Sequence, residues 1–148
     1  MESFYSNAEK KIVKADLFDI TAEEIARSFI NKNKYGDFYG VSGSQMRRLY
    51  DEVKRFDQKL DGDPEKWEKN YPYIRKIRAI VSYTVARAIE RAKIKDEAKK
   101  YENLSAFIMK YIEMVKDEED YHVFAALFEA VYGFYYEKNP ERKMRRGN

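Results

Sequence analysis

Residues 72–95, PYIRKIRAIVSYTVARAIERAKIK, decide the fold, because their hydrophobic side chains recur with the period of a helix. Ile74, Ile77, Val81, Val85, Ala88 and Ala92 stand three or four residues apart, which puts them on one face of an α-helix. At about 100° per residue the far face holds Lys76, Tyr83 and Arg87, with Ile80 and Arg91 at its border. The stretch is also basic: seven Lys and Arg side chains face a single acid, Glu90. A merely solvated helix face normally mixes both signs. The pattern therefore predicts a helix with an apolar seam turned inward and a cationic, tyrosine-bearing stripe available to an anionic partner.

Helical patterning continues to either side. Ser42 and Gln45 form a capping box, with Val41 and Met46 at staple spacing, and Met46, Leu49, Val53, Phe56 and Leu60 then make a strict seam. Arg47, Arg48, Arg55 and Lys59 lie outside that seam, interleaved with Asp51, Glu52 and Asp57. Gly62 and Pro64 mark the end of this helix. Upstream, Thr21 and Glu24 repeat the capping box, with Ile20 and Ile25 as the staple, and predict a helix to about Asn31. The Gly, Asn and Asp residues between 31 and 43 predict a loop. A helical turn within residues 9–14 is expected, with Phe4, Leu17 and Phe18 packing back.

Downstream, residues 95–101 contain no breaker, so one long helix over 72–116 and a kinked pair are both open, with Asn103 a candidate cap. Leu104, Phe107, Ile108, Tyr111, Ile112 and Val115 mark another amphipathic helix. The acids at 117–120 suit the positive N-terminal end of a last helix, which carries Val123, Phe124, Leu127, Phe128, Val131 and Phe134. Tyr132, Tyr135 and Tyr136 widen its apolar face, which must be deeply buried or engaged by a partner. Pro140 closes it. No segment alternates with period two for long enough to read as a strand. The expected fold is all-α, a bundle of about five helices, with residues 1–138 as one helical domain and 139–148 as a basic, mobile tail.

The 148 residues carry a formal charge of +3, yet residues 1–136 hold twenty-four charges of each sign. Acids concentrate at 61–68 and 117–120, so the body is electrically two-sided. No apolar run approaches the length of a membrane span, and residues 1–10 lack the apolar core of a signal peptide. With no Cys there is neither a disulfide framework nor a thiolate metal site, in keeping with a cytoplasmic protein.

Catalysis finds little footing. Glu119 and His122 have the E-x-x-H spacing of di-iron bundles, but such sites need two copies and this chain has one His. A partly buried or interface histidine is the ordinary reading. Asp61-Gly62-Asp63 lacks the ligand series of a calcium loop, and no phosphate-cradling glycine loop or nucleophile–histidine pair presents itself. No catalytic residue, metal or cofactor is expected.

Three segments resemble the small subunit of type III-A (Csm) CRISPR–Cas interference complexes. VSGSQMRRLY at 41–50 is similar to that family's Ser-Gln-(Ile/Val)-Arg-(Lys/Arg) helix start. IRAIVSYTVAR at 77–87 matches its arginine, tyrosine, small residue and arginine. VFAALFEAVYGFYY at 123–136 resembles its aromatic ending. The likeness covers about residues 35–138. Ala86 stands where the family usually has a glycine, and Tyr136-Glu137-Lys138-Asn139 replaces a common Tyr-Gly-Gly-Lys.

The resemblance implies a non-catalytic strut, several copies of which stack beside other Csm subunits and line the channel for the crRNA–target RNA duplex, in antiviral and mobile-element defence. It implies that Arg47, Arg78 and Arg87 are family basic positions. Wheel geometry adds Arg48, Lys76, Tyr83, Arg91 and Lys93 as RNA-binding candidates. Contacts of these types go to phosphate and ribose, which suits a protein serving guides of any sequence. The expected partners are crRNA, target RNA, other Csm subunits and further copies of the chain, with no membrane. The alternative is a helical oligomerisation or adaptor module whose aromatic last helix binds protein and whose basic face is incidental. A helix-turn-helix DNA binder fits less well, because no short helix precedes residues 42–60 by the required turn.

Overall fold

A computed structural model describes residues 2–139. Five long helices account for most of it: α2 (Gly43–Lys59), α3 (Pro64–Arg75), α4 (Ile77–Arg91), α5 (Lys95–Glu113) and α6 (Glu118–Lys138). They are preceded by a short α1 (Ala22–Arg27) and accompanied by two small antiparallel hairpins. One joins β1 (Tyr5–Asn7) to β2 (Ile12–Val13), the other β3 (Ile30–Lys32) to β4 (Phe38–Gly40).

The start of α2 forms as its sequence requires. Ser42 is extended, and its hydroxyl oxygen accepts from the Gln45 backbone N–H at 3.3 Å. The reciprocal half of the box runs through α5: the Ser42 N–H donates to the Tyr101 hydroxyl at 3.1 Å, and that hydroxyl donates to Gln45 Oε1. Met46, Leu49, Val53, Phe56 and Leu60 are all buried.

Helix α6 packs against α1, α2 and α5. Most of its wide aromatic face is consumed internally, with Phe124, Leu127, Phe128, Val131 and Tyr135 buried, while Tyr132 and Phe134 are half-buried and Tyr136 is exposed. Phe128 meets Phe107 of α5 at 5.5 Å between ring centres, and Phe107 meets Phe29 at 5.9 Å. Most of the surface on which an adaptor role would rest is therefore spent in the core. The buried phenols are satisfied by α2 and its lead-in: Tyr121 donates to the Val53 carbonyl at 2.6 Å and Tyr135 to that of Val41 at 2.5 Å. These two bonds also fix α2 and α6 as antiparallel neighbours. The acidic start of α6 behaves as expected, since the Asp117 carboxylate accepts from the Asp120 N–H at 2.9 Å.

Several expectations are corrected. Residues 72–95 do not form one helix: Pro72 lies inside α3, where it has no N–H to donate, and Lys76 interrupts the ladder before α4 begins. The seam survives the break, with Ile74, Ile77, Val81, Val85 and Ala88 buried. Ala92 then turns extended and ends α4, so α4 and α5 form a packed hairpin of two helices. Asn103 caps nothing; it lies within α5 and its amide donates to the Ser28 carbonyl at 2.8 Å.

Thr21 stands directly before α1 but makes no capping bond either. A π-helical turn, Leu17–Thr21, runs into α1, so Thr21 has helical dihedrals and makes no side-chain cap bond. The helix also ends four residues early. The Ser28 hydroxyl donates to the Ile25 carbonyl at 2.6 Å, and the Phe29 N–H turns to Ala26 instead. The expected loop at 31–43 is the β3–β4 hairpin, whose turn does use the anticipated chemistry: the Asn33 side chain accepts from the N–H groups of Tyr35 and Asp37. Residues 9–14 form the β1–β2 connection and β2 rather than a helical turn. Phe4 and Leu17 pack back as expected, but Phe18 is 38% exposed. Pro140 and the expected tail beyond Asn139 lie outside the described residues.

Candidate nucleic-acid interface

Because α4 buries Ile77, Val81, Thr84, Val85 and Ala88 against its neighbours, the remaining arc of its circumference faces out. Lys76, Tyr83, Arg87 and Arg91 fall on that arc within about 80° of one another and span about 22 Å along the axis. All four are exposed, Tyr83 at 64%. The Arg87 guanidinium donates to the Tyr83 hydroxyl at 2.8 Å and lies 5.7 Å from the ring centre, so the two make a joined polar and aromatic surface. Among the described residues no carboxylate pairs with Lys76, Arg87, Arg91 or Lys93 within 4.0 Å. Exposed Ala79, Ser82 and Ala86 border the stripe and leave it unobstructed.

Arg78 is set apart. It lies nine residues before Arg87, half a turn away in projection, and faces α5. There Glu113 receives Arg75 at 2.7 Å and Arg78 at 3.5 Å. The Arg75 hydrogen bond, seconded by the Arg78 charge, holds the Glu113 carboxyl below its ordinary pKa. Arg78 is thus exposed but shares a counter-ion.

Arg47 and Arg48 belong to α2, where with Ser44, Asp51, Glu52 and Arg55 they line an open depression of about 470 Å³. Its charges are largely matched: Arg47 approaches Asp51 at 3.8 Å and Arg55 holds Glu52 at 2.6 Å, leaving Arg48 without an acid partner among the described residues. This patch is built by α2 alone, apart from the α4 stripe in composition as well as in sequence.

Arg91 and Lys93 have neighbours that sequence reading did not anticipate. They help line a cleft of about 800 Å³ between the end of α4, the first turn of α5 and the β3–β4 hairpin. The hairpin adds Lys32, whose ammonium sits 4.6 Å from the Phe38 ring centre, and Lys34 beside Tyr35, which is 76% exposed. Bases interleaved with aromatics are a nucleic-acid-binding pattern. The same interleaving is legible in NKNKYGDFYG, alongside its turn chemistry.

The lone histidine is structural. His122 places Nδ1 2.5 Å from Asp57 of α2 and Nε2 3.0 Å from Glu118 of α6. Partial burial pulls its pKa down, but the bonds to Asp57 and Glu118 outweigh that and raise it. Both ring nitrogens are engaged by carboxylates, and Glu119 is not among its partners. Among the described residues no group of three or more His, Cys, Asp or Glu side chains is arranged to hold a metal ion. No helix among them is long and apolar enough to cross a membrane.

A comparison with protein families matches residues 13–139 to the family described as Csm2 Type III-A. The match begins well before residue 35, so most of the N-terminal region shares in it. No curated protein and no solved structure gave a significant match.

Proposed function

The chain belongs to the Csm2 Type III-A family, the small subunit of the Csm complex, and from that premise we propose that it is a non-catalytic strut holding the crRNA–target RNA duplex by its backbone. Copies stack along the effector ribonucleoprotein beside other Csm subunits, in defence against viruses and mobile elements. The observation that carries this reading is the α4 stripe, in which Lys76 and Arg87 are exposed, lack carboxylate partners among the described residues and flank Tyr83.

Each role follows from side-chain chemistry. Lys76 acts as a point charge towards one phosphate, whereas the Arg87 guanidinium presents a planar fork to phosphate or ribose. Tyr83, held at its hydroxyl by Arg87, offers a ring face to a sugar or an unpaired base. Arg91 and Lys93 extend the track towards the cleft. Arg78 contributes from the α5 side while sharing Glu113 with Arg75. Arg47 and Arg48 supply a second, weaker patch on α2. Such contacts set position without reading bases, leaving specificity to guide–target pairing. A single protomer offers few cations, so stacked copies on one duplex gain affinity through effective concentration.

The test is recovery of the tagged chain from its host under gentle salt. Co-purifying crRNA together with other Csm subunits is the expected outcome. A chain recovered without RNA or without those subunits would overturn the reading.

A further inference from the structure

The cleft at the end of α4 is built for something more specific than a passing phosphate. Its walls are partly apolar and aromatic, from Ile30, Phe38, Tyr39 and Tyr101. Its volume of about 800 Å³ falls in the range of small-ligand sites, roughly 300–1,000 Å³. Two cations, Arg91 and Lys93, line it, and so do two carboxylates, Asp37 and Glu97. Among the described residues none of these four side chains has a charged partner. Four uncommitted charges of balanced sign thus share one concavity.

The walls are also held in place. The Tyr39 hydroxyl donates to Asp96 and ties β4 to the first turn of α5. Gly40 has φ +133°, and a Cβ there would lie 2.2 Å from the Phe29 carbonyl oxygen, so the hairpin is pressed against the chain entering β3. Ser42, the cap of α2, also lines the cleft.

We propose that this cleft binds one nucleotide unit, its base against Phe38 and Tyr39 and its phosphate on Arg91 and Lys93. The balanced charge argues for a nucleotide over a bare anion. Asp37 and Glu97 would repel inorganic phosphate, but they accept hydrogen bonds from a base amino group or a ribose hydroxyl. The unit can be an unpaired nucleotide of a bound strand or a free mononucleotide. The strand-borne case rests on the RNA reading of the α4 stripe, whose Arg91 end opens into the cleft; the free case does not.

Two probes separate them on the full chain: adenosine 5′-monophosphate followed by amide NMR, and single-stranded RNA carrying one 2-aminopurine followed by fluorescence. Saturable shifts in residues 36–42 and 91–97 with the mononucleotide support the free source. A 2-aminopurine response without such shifts supports the strand-borne source. Phe38→Leu keeps an apolar residue in the hairpin and removes the ring, so it should weaken whichever response is seen at least about fivefold. It should leave the salt dependence of RNA binding unchanged. No response to either probe, or an equal response in Phe38→Leu, overturns the proposal. RNA binding that lacks salt dependence would instead overturn the stripe, while the mononucleotide shifts could still uphold the cleft.

Discussion

Replacing Lys76 and Arg87 together by glutamine tests the interface at its centre. Both side chains are exposed and neither pairs with a carboxylate among the described residues, so the fold should hardly register the change. Arg87 gives up only its bond to the exposed Tyr83 hydroxyl. Surface substitutions of this kind shift stability by less than about 0.5 kcal/mol each. Binding should respond through counterion release. Each phosphate neutralised on a single strand contributes about −0.7 to the slope of log K against log salt, so losing two contacts makes the slope shallower by about 1.4. Between about 50 and 200 mM salt, the wild type should then lose about sevenfold more affinity than the variant. Fluorescence anisotropy with a labelled single-stranded RNA measures the slope, and repeating it with a second base sequence should leave the slope unaltered. Equal slopes in variant and wild type would refute the assignment. So would a fall of about 4 °C or more in Tm, because that would make the two cations part of the fold.

Three further outcomes follow from the geometry. Burial lowers the His122 pKa, but the bonds to Asp57 and Glu118 raise it above the unfolded value of about 6.5. Its stabilisation is therefore fully present below about pH 6.5 and is lost as pH rises through the folded pKa. Urea unfolding across that window should show the decline in wild type and a flatter profile in His122→Gln. Gly40→Ala should destabilise by at least about 2 kcal/mol through its clash with the Phe29 carbonyl. Gly36→Ala, with open space around it, should cost only the smaller penalty of a left-handed alanine, and thermal melts of the pair should show the gap. Asp120→Ala removes a buried acceptor shared by the Tyr5 hydroxyl, the Lys11 ammonium and the Lys116 N–H. It should cost about 2–3 kcal/mol in urea unfolding and free the first hairpin to exchange amide hydrogens faster.

The two capping boxes show where sequence reading works and where it fails. Ser42-x-x-Gln45 and Thr21-x-x-Glu24 are the same signal and a helix follows each, yet only the first makes its side-chain cap bond. Ser42 is extended because a hairpin precedes it; Thr21 is helical because a π turn does. A motif states what a residue can do if the chain arrives in the right conformation, and the arrival is decided elsewhere. The short strands were invisible for a related reason. Two or three residues carry no alternation to read, and the β1–β2 hairpin is tethered through Tyr5 to Asp120, 115 residues away.

Periodicity alone determined the seams of α2, α4, α5 and α6, the helical class, and the outward placement of Lys76, Tyr83 and Arg87. Side chains a turn apart on a helix must share a face wherever the helix lies. Only the tertiary structure decided which cations of α4 keep their charge uncompensated, because Arg78 meets Glu113 of α5 while Arg87 meets no carboxylate among the described residues. It alone brought Phe38, Arg91 and Glu97 around one cleft, since they come from three segments whose relative positions depend on how buried faces close on one another. Spacing along a chain fixes direction about a helix axis; distance between elements comes from packing.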